Sequence, residues 1–170
     1  MGLDLKKFKN LKNLIKNKNF ASSLIINVAT IYYLKKKDIK NSVILNYDSN
    51  LNDLGYWYQQ LVAESLGKKN QGFNPTLSFG PKDHHSLLQL YLDGPKDKFF
   101  TFFNFSERKL KYKISKNIIP NQIKFSKNKN LELVIKAQCE ATKNIFKLKK
   151  IPFRQINFRK KNEETLGEIF

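Results

Sequence analysis

The chain has 170 residues, of which 41% are hydrophobic and 13% aromatic, and it carries a formal net charge of +18 at pH 7. This length and hydrophobic content suffice for a single packed domain and exclude an intrinsically disordered chain. A positive charge of this size is typical of proteins that bind nucleic acid or an anionic membrane. However, 29 of the 32 basic residues are lysines, and they are spread along the whole chain. Because arginine is the residue expected at bidentate phosphate and base contacts, we expect no nucleic-acid partner.

Other features of the sequence indicate the cellular compartment of the protein. No stretch approaches the roughly 18 consecutive apolar residues of a membrane span, and residues 1–18 lack the apolar run and cleavage site of a signal peptide. The single cysteine, Cys139, cannot form an internal disulfide. We therefore expect a cytoplasmic protein without a membrane partner.

The first third of the chain predicts two helices and a strand. Apolar residues at near-helical spacing predict a helix over 3–15. A second helix is predicted over 21–36, and because it is apolar nearly all round we expect it to be a buried packing helix. The β-branched run over 42–46 is typical of a buried parallel strand, and residues 47–50 supply turn and capping chemistry.

Further elements follow in the rest of the sequence, judged by periodicity and by stop signals. They are a helix over 51–66 ended by Gly67, a polar loop over 68–80, a helix over 83–93 with Asp83 as its N-cap and a strand over 98–105. Residues 117–130 are predicted to be a surface loop or a weak strand and turn. A long amphipathic helix over 130–148, a strand over 153–158 and the start of a helix from 163 complete the sequence.

This order of elements predicts the fold class. Strands that alternate with helices favour an α/β three-layer sandwich with a mostly parallel sheet. The short β-rich runs 43–45, 100–103 and 155–157 are the expected core strands. A structure in which two of these runs were helical would contradict the prediction.

Gln60 and Glu64 form the first candidate for a functional site. The two residues are four apart on a predicted helix, so an amide and a carboxylate share one face near its end. Such a pair could point into a pocket. It could equally belong to a solvated polar stripe, because these pairs are common on exposed helices.

His84 and His85, the only histidines of the chain, form the second candidate. Neighbouring residues on a helix face different ways, and no other histidine or cysteine ligand accompanies them, so we expect no metal site. A histidine at a helix N-terminus is favoured in its neutral form, which suits proton transfer. A satisfied capping histidine is the alternative.

Taken together, the two clusters resemble the glucose-6-phosphate isomerase family. That family has a helix with a tryptophan, a glutamine and a glutamate-serine-x-glycine-lysine run, here Trp57, Gln60 and residues 64–68. Its glycine-x-x-aspartate-glutamine-histidine-serine turn and following helix are matched by Gly80, Asp83, His85, Ser86, Gln89 and Leu90. His84 departs from the pattern, because the family usually has glutamine there. Residues 2–4, 91–100 and 132–167 also resemble family members, so the resemblance covers nearly the whole chain.

The resemblance implies an isomerase that interconverts glucose 6-phosphate and fructose 6-phosphate through a cis-enediol intermediate without a metal or organic cofactor. Glu64 would move the proton between C1 and C2, His85 would assist ring opening and closing, and Gln60 would contact the sugar phosphate. In the family's homodimer the histidine is lent to the neighbouring subunit.

The resemblance also implies a sugar-isomerase, flavodoxin-like fold that is incomplete here. Residues 1–170 would be part of the second sugar-isomerase domain, with the first domain and the C-terminal tail absent. The family's phosphate loops, glycine-glycine-arginine motif and catalytic lysine would lie outside this sequence, so we expect the chain alone to be inactive.

Two other classes of protein are alternatives to an isomerase. A non-catalytic sugar-phosphate-binding module on the same fold would be expected to lose the carboxylate base, which this sequence retains as Glu64. A basic nucleic-acid-binding protein would be expected to show an arginine-rich face.

Overall fold

A computed structural model describes residues 11–105 and 130–158, together with positions 4, 6, 162 and 165. Within this part of the chain, four strands form one sheet in the order β2-β1-β3-β4. The strands are β1 Asn41–Asn46, β2 Asn74–Phe79, β3 Lys98–Phe105 and β4 Phe153–Phe158. Every neighbouring pair is parallel. The predicted parallel α/β fold is therefore confirmed, and the three predicted core runs all lie in strands.

Six α-helices and one 3-10 turn surround this sheet in the described residues. They are α1 Leu11–Lys16, α2 Lys18–Lys36, the 3-10 turn Ser49–Leu51, α3 Asn52–Leu66, α4 Lys82–Ser86, α5 Leu88–Asp93 and α6 Leu131–Leu148. Side chains cap the N-termini of several of these helices. The side chain of Asp48 accepts a hydrogen bond from the backbone N–H of Asn50, and the side chain of Asn130 accepts one from the backbone N–H of Glu132. These caps satisfy backbone donors that have no partner inside the helix.

Side chains alternate between the two faces of the sheet, and each face has its own hydrophobic cluster. The cluster against α5 and α6 contains Val43, Leu45, Phe100, Phe102, Tyr91, Cys139 and Phe146. The cluster on the other face contains Ile44, Leu51, Phe103 and Phe158, with Leu54 and Tyr58 of α3 packed against it. Helices therefore cover both faces, which gives the predicted three layers.

The prediction that the second helix is a buried packing helix is wrong. No residue of α2 is buried, and Ile25 and Ile26 are 67% and 66% exposed. The helix is held by a polar contact, in which Arg154 of β4 donates to the side chain of Asn27. An apolar pattern shows that burial would be favourable, but it does not show that a neighbouring element is there to provide it.

The predicted loop over 68–80 contains strand β2, which the sequence prediction missed. Pro75 lies inside this strand, and proline cannot donate to a sheet hydrogen bond. The position is tolerated because, among the described residues, β2 lies at the edge of the sheet and pairs with β1 alone. Because the segment contains proline and polar residues, its sequence does not indicate a strand. The strand forms through its pairing with β1.

The predicted helix over 83–93 is divided in two at Leu87, whose φ is −120°. Its predicted N-cap, Asp83, is also wrong, because α4 begins at Lys82 and Pro81 occupies the cap position. The predicted loop over 117–130 and the helix start from 163 lie almost wholly outside the described residues. Among those that are described, no helix combines the length and hydrophobicity needed to cross a membrane.

Replacing Phe146 with alanine should lower the free energy of unfolding by about 3–5 kcal/mol, because its ring is fully buried and the substitution leaves a cavity. Leu148→Ala on the same helix is the matched control, since Leu148 is 78% exposed. It should change stability by no more than about 0.5 kcal/mol. Urea unfolding of both variants measures the difference, and equal losses would contradict the proposed core.

Candidate active site

Gln60 and Glu64 lie in the last two turns of α3, both exposed to solvent. The amide nitrogen of Gln60 donates a hydrogen bond to a carboxylate oxygen of Glu64 at 3.0 Å. The predicted shared face is therefore present, and the amide fixes the direction of the carboxylate. Gly67 ends the helix, with its backbone N–H bonded to the carbonyl of Ala63.

His85 is exposed on α4, the short helix that follows β2. No hydrogen bond or ion pair within the described residues joins it to Glu64. A five-residue helix has too few internal hydrogen bonds to be stable by itself. The position of His85 therefore depends on how the residues next to it are attached to the sheet.

Asp83 provides one attachment of α4. Its carboxylate accepts hydrogen bonds from the backbone N–H of Phe79 at 2.7 Å and from the Ser78 hydroxyl at 3.0 Å. Both partners lie at the carboxyl end of β2. The aspartate predicted to cap the helix instead ties the helix to the strand before it.

His84 provides a second attachment of α4, to a different part of the sheet. Its Nε2 lies 2.6 Å from the hydroxyl of Tyr47, the residue after β1, and 3.3 Å from the hydroxyl of Thr142 on α6. The Tyr47 hydroxyl donates to Thr142 at 3.0 Å, and Thr142 donates to the carbonyl of Gln138 at 2.9 Å. His84 is thus a partnered, half-buried histidine, although it does not cap the helix, because its partners are two side-chain hydroxyls.

Burial determines the protonation of His84 and Tyr47. It lowers the pKa of His84 below the ordinary 6.5, although the nearby Asp83 carboxylate acts in the opposite direction. Burial likewise raises the pKa of the Tyr47 hydroxyl above its ordinary value of 10.0. At neutral pH both groups are therefore uncharged, which suits a buried hydrogen-bond network.

Gly80 allows the chain to pass close to Tyr47. A Cβ atom at position 80 would lie 2.6 Å from Cε1 of the tyrosine ring, and that ring is buried. A side chain at this position would have to displace the ring. The glycine in the motif is therefore required by close approach of the backbone to Tyr47.

The order of the elements places Glu64 and His85 at opposite edges of the sheet. α3 begins after the carboxyl end of β1 and leads back to the amino end of β2, so Glu64 lies toward the amino edge. His85 follows the carboxyl end of β2. Six residues of strand span roughly 20 Å. Within one chain, the two residues therefore lie toward opposite ends of the strands that α3 connects.

An open pocket of about 290 Å³ lies at the carboxyl edge of β1 and β2. It is lined by Asn46, Ser49, Asn52, Phe79, Gly80 and Lys82. Neither Glu64 nor His85 lines it. In the described residues, no group of three or more histidine, cysteine, aspartate or glutamate side chains could hold a metal ion.

Sequence reasoning missed Tyr47 and Thr142. Tyr47 was included in a turn, and Thr142 is one of many polar residues on a long amphipathic helix. A tyrosine directly after a buried parallel strand was an available signal, because that position falls at the carboxyl edge of the sheet. Nothing in the sequence indicated that Thr142, 95 residues further on, would accept its hydrogen bond.

Curated proteins show sequence similarity over nearly the whole chain, although no family model matches it. A protein of Methanocaldococcus jannaschii named glucose-6-phosphate isomerase is 34% identical over an alignment of 175 positions, which covers 99% of this chain and 43% of that protein. A probable glucose-6-phosphate isomerase of Methanococcus maripaludis is 39% identical over 129 residues, 76% of this chain and 28% of that protein. The chain thus spans less than half the length of these relatives.

A solved structure supports the fold. The crystal structure of a hypothetical protein from Thermus thermophilus matches 97% of this chain and 40% of its own, with a TM-score of 0.80. The sequences are only 22% identical, so the likeness shows that the arrangement of strands and helices is shared.

The lowered pKa of His84 should make the stability of the chain depend on pH. The native state favours the neutral imidazole, so the unfolded chain binds more protons below the ordinary pKa of 6.5. Above pH 6.5 the imidazole is neutral in both states, and the full stability of the chain is present. Stability is lost as the pH falls from 6.5 through the lower pKa of the folded state. Tyr47, Thr142 and Asp83 are the groups that face this imidazole, and Asp83 reduces the effect.

We expect urea unfolding to show a larger loss of stability between about pH 7.5 and about pH 5.5 for the unmodified chain than for His84→Gln, which has no titrating group at this position. His85→Gln is the control, because His85 is exposed, and it should retain the pH dependence. An equal loss in the unmodified chain and in His84→Gln would contradict the burial of a neutral histidine.

Proposed function

This chain belongs to the glucose-6-phosphate isomerase family, and we propose that it forms a part of such an enzyme, within the second sugar-isomerase domain. The proposed substrate is a sugar phosphate, and the proposed reaction interconverts glucose 6-phosphate and fructose 6-phosphate. The arrangement of Gln60 and Glu64 is the observation that carries the proposal. An exposed carboxylate whose direction is fixed by an amide on the previous turn is suited to a general base.

Glu64 would move a proton between two carbon atoms. In the open aldose, its carboxylate takes the proton from C2 as electrons move onto the C1 carbonyl oxygen, which gives the cis-enediol intermediate as its singly deprotonated anion. The remaining hydroxyl proton then moves from the oxygen on C2 to the oxygen on C1. The protonated carboxyl then returns the proton to C1 while the carbonyl forms at C2, so that the ketose results and the carboxylate is regenerated. Atoms and electrons balance without an external oxidant or reductant, so the reaction needs no redox cofactor.

Gln60 can hold the base and contact the substrate at the same time. A glutamine amide has two N–H donors and a carbonyl acceptor, and one donor is used by Glu64. The remaining donor and the carbonyl oxygen would be available to oxygens of the sugar phosphate. The predicted substrate contact is thus compatible with the observed hydrogen bond.

His85 would assist ring opening and closing at the sugar oxygens, and we propose that it acts in the site of a neighbouring subunit. The support is the separation of Glu64 and His85 across the sheet, roughly the length of a six-residue strand. A proton shuttle must come within hydrogen-bond reach of the reacting oxygen. A homodimer in which His85 crosses to the partner would bring the two residues together.

The chain alone should show no measurable isomerisation of fructose 6-phosphate. More than half of the Methanocaldococcus jannaschii relative has no counterpart in these 170 residues, and positioning groups of an active site can contribute roughly 7–11 kcal/mol of barrier lowering. A chimaera in which this chain replaces the matching region of that relative should be active in a coupled assay. In the chimaera, Glu64→Gln should lower kcat by about 10²-fold or more.

Glu132→Gln is the matched control in the chimaera, because Glu132 is also a helical glutamate but lies in the first turn of α6. It should leave kcat unchanged. Glu64-dependent turnover by the 170-residue chain alone would show that no further segment is needed. A chimaera that is active and indifferent to Glu64→Gln would overturn the assignment of the base.

Sharing of His85 between subunits predicts complementation. Glu64→Gln and His85→Gln chimaeras should each be nearly inactive, whereas equal amounts unfolded and refolded together should recover roughly a quarter of the unmodified activity. Half of the random dimers would be mixed, and each mixed dimer would contain one intact site of two. If both residues acted within one chain, mixing would restore nothing. Size-exclusion chromatography of each sample checks that dimers have formed.

A further inference from the structure

The hydrogen bonds around His84 form an ordered series that ends on the backbone of α6. The Thr142 hydroxyl donates to the carbonyl of Gln138 at 2.9 Å, and its oxygen accepts from the Tyr47 hydroxyl at 3.0 Å. The Tyr47 oxygen lies 2.6 Å from Nε2 of His84. Tyr47 and Thr142 are only 3% and 5% exposed, so water cannot readily replace a missing partner.

The number of protons decides the direction of these bonds. Each hydroxyl has one hydrogen to donate. Thr142 donates its hydrogen to Gln138, and Tyr47 donates its hydrogen to Thr142. The contact between Tyr47 and His84 therefore contains a hydrogen only if Nε2 of His84 carries it. The reverse direction, in which Tyr47 donates to Nε2, would require the Thr142 hydroxyl to turn its hydrogen to Tyr47 and to give up its bond to the carbonyl of Gln138.

We propose that His84 is a positioning residue for His85, acting as an Nε2–H donor to Tyr47. This inference rests on the proposed function of His85. Asp83 ties α4 to the end of β2, and His84 ties it to Tyr47 after β1 and, through Tyr47, to α6. A short helix held at these two points presents the next residue, the exposed His85, in a fixed direction.

This role requires a donor at a particular reach rather than an imidazole. Nε2 of histidine and Nε2 of glutamine are both four bonds from Cα, and both can carry a hydrogen. A glutamine at position 84 can therefore donate to the Tyr47 oxygen, as the glutamine usual at this place in the family motif could. Leucine has a similar size but no donor. His84→Gln should preserve the positioning of His85, and His84→Leu should remove it.

Nitrogen NMR of the imidazoles in the 170-residue chain provides the direct test. We expect His84 at neutral pH to carry its hydrogen on Nε2, with Nδ1 unprotonated. In His84→Leu the backbone amide of Leu87, which donates to the carbonyl of Asp83 at 2.8 Å at the end of α4, should exchange with solvent at least about tenfold faster, because a local opening that becomes 1.4 kcal/mol easier is tenfold more populated. His84→Gln should restore the slow exchange. An Nδ1–H tautomer, or unchanged exchange in His84→Leu, would overturn the proposal.

Tyr47→Phe is the second variant, because it removes the acceptor for His84 and retains the ring. It should accelerate exchange at the Leu87 amide as His84→Leu does, so the test does not depend on the folding of one variant. If Tyr47→Phe leaves the exchange at Leu87 slow, the tether to Tyr47 does not hold α4 in place.

Kinetics of the chimaera test the consequence for catalysis. A displaced catalytic group lowers the rate of the chemical step by roughly 10- to 100-fold. We expect His84→Leu to lower kcat by that factor with KM changed less than about twofold, and His84→Gln to retain the unmodified kcat. If Glu64→Gln has no effect, the proposed function fails while the NMR measurements still decide the tether. If Glu64→Gln abolishes activity but His84→Leu does not, the positioning role alone fails.

Discussion

The position of β1 at the interior of the sheet is the constraint on which the rest of the arrangement depends. Its six residues pair with β2 on one side and β3 on the other, and five of them are buried. A shift of one residue in either pairing would exchange the side chains of the two faces. The register therefore fixes where the chain leaves β1, and with it the location of Tyr47 beside α4.

Parallel pairing also determines how the candidate catalytic groups are distributed. A helix that joins two parallel neighbours must run back across the sheet, so residues near its end lie at the opposite edge from residues that follow the second strand. This places Glu64 and His85 apart within one chain, whatever their side-chain conformations. The proposed sharing of His85 between subunits rests on this separation.

Partly buried polar side chains join the layers at defined points. Arg154 on β4 donates to Thr101 on β3, to Asn27 on α2 and to the Tyr58 hydroxyl on α3. Its planar group offers several donors in fixed directions, which a lysine could not reproduce. The series from His84 to α6 has the same character on the other face. Each network joins an element with little apolar burial of its own, α2 or α4, to the packed sheet.

The sequence by itself determined the α/β class, three of the four strands, the limits of the long helices and the pairing of Gln60 with Glu64. These features depend on local periodicity, on capping residues and on contacts four residues apart. Only the tertiary structure decided that the segment with Pro75 is a strand, that α2 is exposed, and that His84 is bonded to Tyr47 and Thr142. Edge-strand pairing, the presence or absence of a covering element, and contacts between residues up to 95 apart depend on how distant segments pack together, and no local pattern encodes that.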